Sequence, residues 1–149
     1  MTRLTTSPIF VAAALLCFCY LAAAQQSTNQ QVVSITFRRF LSHYDYPHAE
    51  MIVSNRTARS VWFTGYSAVR PVYSVQQLEH GQWTEKRMGW CGTGSGRREF
   101  YAHTSITLLV PLDPSTSNNT VRVGISCSPS AKYDATTATS YWSDKIDPR

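Results

Sequence analysis

Apolar residues recur at every second position over most of the chain beyond residue 32. Val33, Ile35 and Phe37 alternate with Ser34, Thr36 and Arg38, and Ala49, Met51 and Val53 alternate with Glu50, Ile52 and Ser54. A period of two is the signature of a strand with one buried face. Val61, Phe63 and Gly65 form one face of the next strand and Trp62, Thr64 and Tyr66 the other, the side taken by Trp62 being left open. Pro71 interrupts. Val72 to Glu79 and Gln82 to Arg87 then read as the arms of a hairpin turning at His80-Gly81, with Tyr73 and Val75 set near Trp83 and Glu85. A short segment, Glu99 to Ala102, precedes a strand built on Ile106, Leu108 and Val110 that ends at Pro111. Val121, Val123 and Ile125 form the most regular strand and lead to Cys127, and an element near Tyr141-Trp142-Ser143 closes the series.

Between these runs, Leu41 to Pro47, Asn55 to Thr57, Asp113 to Asn119 and Ser128 to Ala131 read as connections, from their Asp, Asn, Ser and Pro content. No window of ten or more residues beyond the first 24 carries apolar spacing at 3.6. Seven or eight short strands without helical crossovers predict an all-β domain over residues 32–146, an antiparallel β-sandwich, with a small closed β-barrel as the alternative. Residues 147–149 are a frayed tail.

The N-terminus follows a different pattern. Arg3 precedes an apolar run from Ile9 to Leu21 that ends in Ala22-Ala23-Ala24. The run is shorter than the roughly 20 apolar residues of a spanning helix and ends as a signal-peptidase site does, so residues 1–24 read as a signal peptide cleaved after Ala24. The expected location is secreted or periplasmic. Removal takes Arg3 from the 14 basic residues and none of the 9 acidic ones, which lowers the net charge by one from +5. Gln25 to Gln31 is polar and reads as a tether. No later segment has the length of a membrane span.

Cleavage also removes Cys17 and Cys19, leaving Cys91 and Cys127. Two cysteines in an exported chain point to a disulfide, since the compartment is oxidising and zinc sites need closer, repeated spacing. Such a bridge stabilises by about 3 to 4 kcal/mol. Cys91 lies in the glycine-rich stretch Gly89 to Gly96, the predicted tight loop around which the hairpins are arranged.

Candidate chemistry is sparse. Gly92-Thr-Gly-Ser-Gly96 followed by Arg97-Arg98 invites comparison with an anion site, but phosphate loops need a strand before the glycines and a helix after them, so a structural turn is expected. His43, Asp45 and His48 form the one local cluster of metal-ligand types, and a solvated loop is the expectation; no metal, cofactor or catalytic residue is assigned. Gly-x-Ser-x-Gly and His-Glu-x-x-His are absent. Glu79 and Glu85 sit across the hairpin. Basic residues occur as the pairs Arg38-Arg39, Lys86-Arg87 and Arg97-Arg98 without a long run, which argues against nucleic acid and leaves room for attraction to acidic glycans or cell surfaces. Asn55-Arg56-Thr57 and Asn118-Asn119-Thr120 are glycosylation sequons, relevant only in a eukaryotic source.

The aromatic residues stand out. Trp62, Trp83, Trp90 and Trp142, with the tyrosines, exceed what a core of this size needs, and exposed aromatic faces stack on sugar rings or anchor partners; the competing reading places them inside the sandwich.

Ser54-Asn55-Arg56-Thr57, Trp62-Phe63-Thr64-Gly65-Tyr66, Trp90-Cys91-Gly92-Thr93-Gly94 and Arg122-Val123-Gly124-Ile125 together resemble an immunoglobulin-like or fibronectin-like sandwich over about residues 32–146. The chain is similar to uncharacterised short secreted bacterial proteins with such a domain. The resemblance implies a fold and no catalytic residue. The chain departs from antibody-type domains, since Cys91 follows Trp62 and position 125 is Ile, not Tyr.

The function expected is that of a non-enzymatic exported domain, a binding or accessory module meeting a protein or glycan at the cell surface, in the periplasm or outside the cell. One alternative is a carbohydrate-binding module with coplanar exposed tryptophans. The other is a small secreted enzyme with a site near Gly92 to Gly96, where Arg97, Glu99 and His103 would converge.

Overall fold

The computed structural model describes residues 32–43, 46–86, 93–112 and 119–147. Among the described residues ten strands form two antiparallel sheets that do not close into a barrel, so the sandwich expectation holds and the barrel alternative does not. The strands are β1 (Val33–His43), β2 (Tyr46–Asn55), β3 (Val61–Ser67), β4 (Arg70–Pro71), β5 (Ser74–Glu79), β6 (Gln82–Lys86), β7 (Gly96–Phe100), β8 (Ser105–Pro111), β9 (Val121–Ser128) and β10 (Thr139–Trp142).

One sheet has the order β1-β2-β8. The other has seven strands, with β9 at its centre: β3 and β5 pair with it, β10 runs along it, and β7 pairs with β3. The alternation read in the sequence fills the space between the sheets. Val33, Ile35, Met51, Val53, Leu108 and Val110 of the first sheet are buried with Val61, Phe63, Val75, Phe100, Val121, Val123 and Ile125 of the second. Trp62 therefore turns away from the core, with Thr64 and Tyr66, as the partner face of Val61 and Phe63.

Several expectations need correction. Leu41 to Pro47 is not a loop: Leu41, Ser42 and His43 pair with His48, Pro47 and Tyr46 as the closing end of the β1–β2 hairpin. Glu99 to Ala102 is not the segment that follows the glycines. The strand runs from Gly96 to Phe100, because β3 supplies the pairing that its apolar-poor sequence does not predict. The β5–β6 hairpin does turn at His80-Gly81, both at positive φ as a two-residue turn requires, yet its register is one residue from that expected. Closing on Glu79 and Gln82 sets Leu78 opposite Trp83 and Gln76 opposite Glu85, so Trp83 faces outward and not toward Val75.

Cys127 is a free thiol facing the core, 3 % exposed, and burial pushes its pKa up to about 12 against a smaller opposing pull from Arg97. No disulfide is seen among the described residues. Its expected partner Cys91 lies outside them, as do Trp90, the first half of the glycine-rich stretch (residues 89–92) and residues 1–31. No helix among the described residues is long and apolar enough to cross a membrane.

Of the buried polar residues among those described, Asn55 is the most enclosed. Asn55, 1 % exposed, donates from Nδ2 to the carbonyls of Arg59, Phe100 and Tyr101 at 2.8, 3.1 and 3.2 Å. Its Oδ1 accepts from the backbone N and the hydroxyl of Thr57 at 3.1 and 2.9 Å. The sequon at 55 is thus an Asx-type turn that ties the end of β2 to the end of β7. Asn118 lies outside the described residues.

Candidate functional site

The outward residues of the seven-stranded sheet are where chemistry-bearing side chains gather. On β9 the inward Val121, Val123 and Ile125 leave Arg122, Gly124 and Ser126 facing out. Pairing then fixes their neighbours: Gln76 and Ser74 of β5 lie beside Arg122 and Gly124, and Ser140 and Trp142 of β10 lie beside Ser126 and Gly124. Glu85 and Trp83 continue the face onto β6.

Arg122 is held between two rings. Its guanidinium carbon lies 4.3 Å from the centroid of Trp83 and 4.8 Å from that of Trp142, while Nε and Nη2 both donate to Oε1 of Gln76 at 2.8 and 2.7 Å. Partly desolvated contacts of this kind are worth on the order of 0.5–2 kcal/mol each. Trp142 reaches this position because residue 124 has no side chain: a Cβ there would stand 2.5 Å from Cε3 of the indole. The expected coplanar platform is therefore absent from this pair. Trp83 and Trp142 each turn a face to Arg122.

Beside this stack opens a cleft of about 420 Å³, lined by Thr64, Ser74, Arg97, Ser126, Tyr133, Ser140 and Trp142 with adjoining backbone. Arg97 projects from β7 on the side of Thr64, its cross-strand partner. It donates to the carbonyls of Trp62, Ser130 and Ala131 at 3.0, 3.2 and 3.4 Å, to Oγ1 of Thr64 at 3.4 Å, and to the hydroxyl of Ser128. These bonds pin residues 128–131 against the sheet. The Arg97 guanidinium also lies 5.7 Å from the ring centroid of Tyr133, which is 60 % exposed at the rim.

Of the residues singled out in the sequence, Trp83 and Trp142 are brought together. Trp62 shares their face on β3 and contributes its carbonyl to Arg97. Arg97 lines the cleft, but Glu99 and His103 do not: Glu99 pairs with Trp62, and His103 sits exposed in the turn after β7 at a φ of 55°. Arg97, Glu99 and His103 thus do not share this cleft. Of the cluster at residues 43–48, His48 lies within β2, and the side chain of His43 and all of Asp45 lie outside the described residues; among the described residues no group of three metal-ligand types gathers.

Arg122, Gln76, Gly124, Ser126 and Tyr133 were not found by sequence reasoning. The outward parity of Arg122 in β9 was legible; its partners, 46 residues away at Gln76, were not.

No family model, curated protein or solved structure matches the chain.

Proposed function

We propose that this chain is a non-enzymatic exported binding module that holds a saccharide in the cleft on the outer face of the seven-stranded sheet, acting in the periplasm or outside the cell. The observation that carries this reading is the composition of the cleft wall. Thr64, Ser74, Ser126 and Ser140, four hydroxyl-bearing residues, line it together with Tyr133, Trp142 and Arg97. Hydroxyls and a guanidinium exchange hydrogen bonds with a polyol, and rings cover the apolar face of a sugar; these are groups that hold a ligand. The apolar run ending at Ala22-Ala23-Ala24 supports export.

The test is a titration of the protein, purified after expression of the full chain, with neutral and charged oligosaccharides and cell-wall fragments, read by NMR. Saturable shifts at Tyr133 and Trp142, lost in Trp142→Ala, are expected. Saturable shifts confined to residues away from the cleft would refute the reading.

A further inference from the structure

Resting on that reading, we infer that the saccharide is acidic, a sugar whose carboxylate or sulfate ester is set against Arg97. Every acceptor that Arg97 meets is neutral: three backbone carbonyls and the hydroxyls of Thr64 and Ser128. These dipoles orient the guanidinium and offset part of its desolvation, but they bring no negative unit charge. The ion pairs seen among the described residues, Arg38 and Arg39 with Glu50 and Lys86 with Glu79, lie elsewhere.

Among the described residues, no aspartate or glutamate lines the cleft. Two carboxylates flank it in register on this face. Glu85 lies beside Gln76 at the Arg122 end, where it accepts from the hydroxyl of Ser74 at 3.1 Å. Glu99 stands across from Trp62, one outward position beyond Arg97. The Arg97 end, with Ser126 and Tyr133, is thus the part of the cleft where an anion meets a positive charge that no described carboxylate pairs with.

The donor geometry agrees. A guanidinium carries five N–H groups. On Arg97 the Nε hydrogen goes to Ala131, those of Nη2 are shared among Trp62, Ser128 and Ser130, and Nη1 makes the long contact with Thr64 at 3.4 Å. Among the described residues one Nη1 hydrogen has no acceptor and is left for a ligand oxygen, and a charge-assisted bond to an anionic oxygen is roughly twice as strong as one to a neutral hydroxyl. Ser126, exposed on β9, and the ring of Tyr133 are placed to meet the rest of the sugar.

The experiment compares a hyaluronan tetrasaccharide, its carboxyl-reduced neutral counterpart and a sulfated tetrasaccharide, each titrated into the purified full-chain product. The acidic sugars are expected to bind at least about tenfold more tightly than the neutral one, a difference that shrinks as salt is raised from about 0.05 to 0.5 M. Preference between the two acidic sugars identifies the anion. Since Arg97 also holds residues 128–131, the diagnostic variant is Ser126→Glu, which sets a carboxylate in the cleft without touching those bonds. It should abolish acidic binding while sparing the neutral sugar relative to Ser126→Gln, which removes the same hydroxyl without adding a charge and should weaken neutral and acidic sugars alike, both variants with unchanged melting temperature. Neutral and acidic sugars binding alike would overturn this inference and leave the cleft reading standing. Binding of none of the three, or acidic binding that Ser126→Glu leaves unaltered, would overturn both.

Discussion

Replacing Gly124 with Ala isolates the contact on which the outer face depends. The φ at 124 lies outside the left-handed region, so the backbone accepts alanine without strain. The added methyl, however, would lie 2.5, 2.6 and 2.8 Å from Cε3, Cζ3 and Cδ2 of Trp142, closer than such atoms approach. The indole must move, and it is one of the two rings holding Arg122. Overpacking of this kind costs about 1–3 kcal/mol, and losing one partly exposed cation–π contact adds about 0.5–1 kcal/mol. Against these stands a gain of about 0.4–1 kcal/mol, because alanine restricts the unfolded chain more than glycine does. The net cost is about 2 kcal/mol, which for a domain of this size lowers the melting temperature by roughly 8 °C. Calorimetry with tryptophan fluorescence measures both the loss of stability and the displaced ring. In the double variant Gly124→Ala/Trp142→Ala the clash has no partner, so the combined cost falls short of the sum of the two single ones. A single variant melting within about 2 °C of the parent, with additive costs in the double, would refute the placement of Trp142 over residue 124.

Two further outcomes follow from buried groups. Asn55→Ala strips partners from three carbonyls and from Thr57, and should cost about 2–4 kcal/mol, seen as a lower urea midpoint at unchanged slope. In the parent, mass spectrometry after expression in a glycosylating host should find no glycan at Asn55, and a modified Asn55 in folded protein would contradict its burial. Burial also raises the pKa of Tyr73 from 10.0 to about 12, and that of Cys127 from 9.0 to about 12. Both groups are neutral when protonated and both folded values exceed the unfolded ones, so their contribution is intact below about pH 9 and is lost as the pH rises to about 12. The melting temperature should fall across that window, less steeply above pH 10 in Tyr73→Phe; a flat profile would refute the burial of both groups.

What the sequence made legible was whatever a single strand decides by itself. Val121, Val123 and Ile125 had to share a face, and Val61 with Phe63 forced Trp62 to the opposite one. His80-Gly81 marked its turn. Pairing between distant strands was not legible, because it is decided by partners: Gly96 to Arg98 is unremarkable until β3 lies beside it, and the His43–Tyr46 end of the first hairpin looks like a loop until its register is known. A slip of one residue in β6 was enough to move Trp83 to the other face in the reading, since side chains alternate. The cleft belongs to this second class. Its lining comes from β3, β5, β7, β9 and β10 and from the segment after β9, and no local pattern marks Arg97, Ser126 and Tyr133 as neighbours.

The pairing of β9 sets an order of events. One edge of this central strand is met by β3 and β5, both earlier in the chain, whereas the other is covered only by Thr139 to Trp142 and then by the bridge from Ile146 to Val121. During synthesis from the N-terminus onward, every other described strand is present before that edge has a partner. Until then β9 offers unpaired amides and carbonyls to any extended chain nearby, its own neighbours on the ribosome included. The same late segment carries Trp142, so the outer wall of the cleft and protection from misassembly arrive in a single step, at residues 139–146.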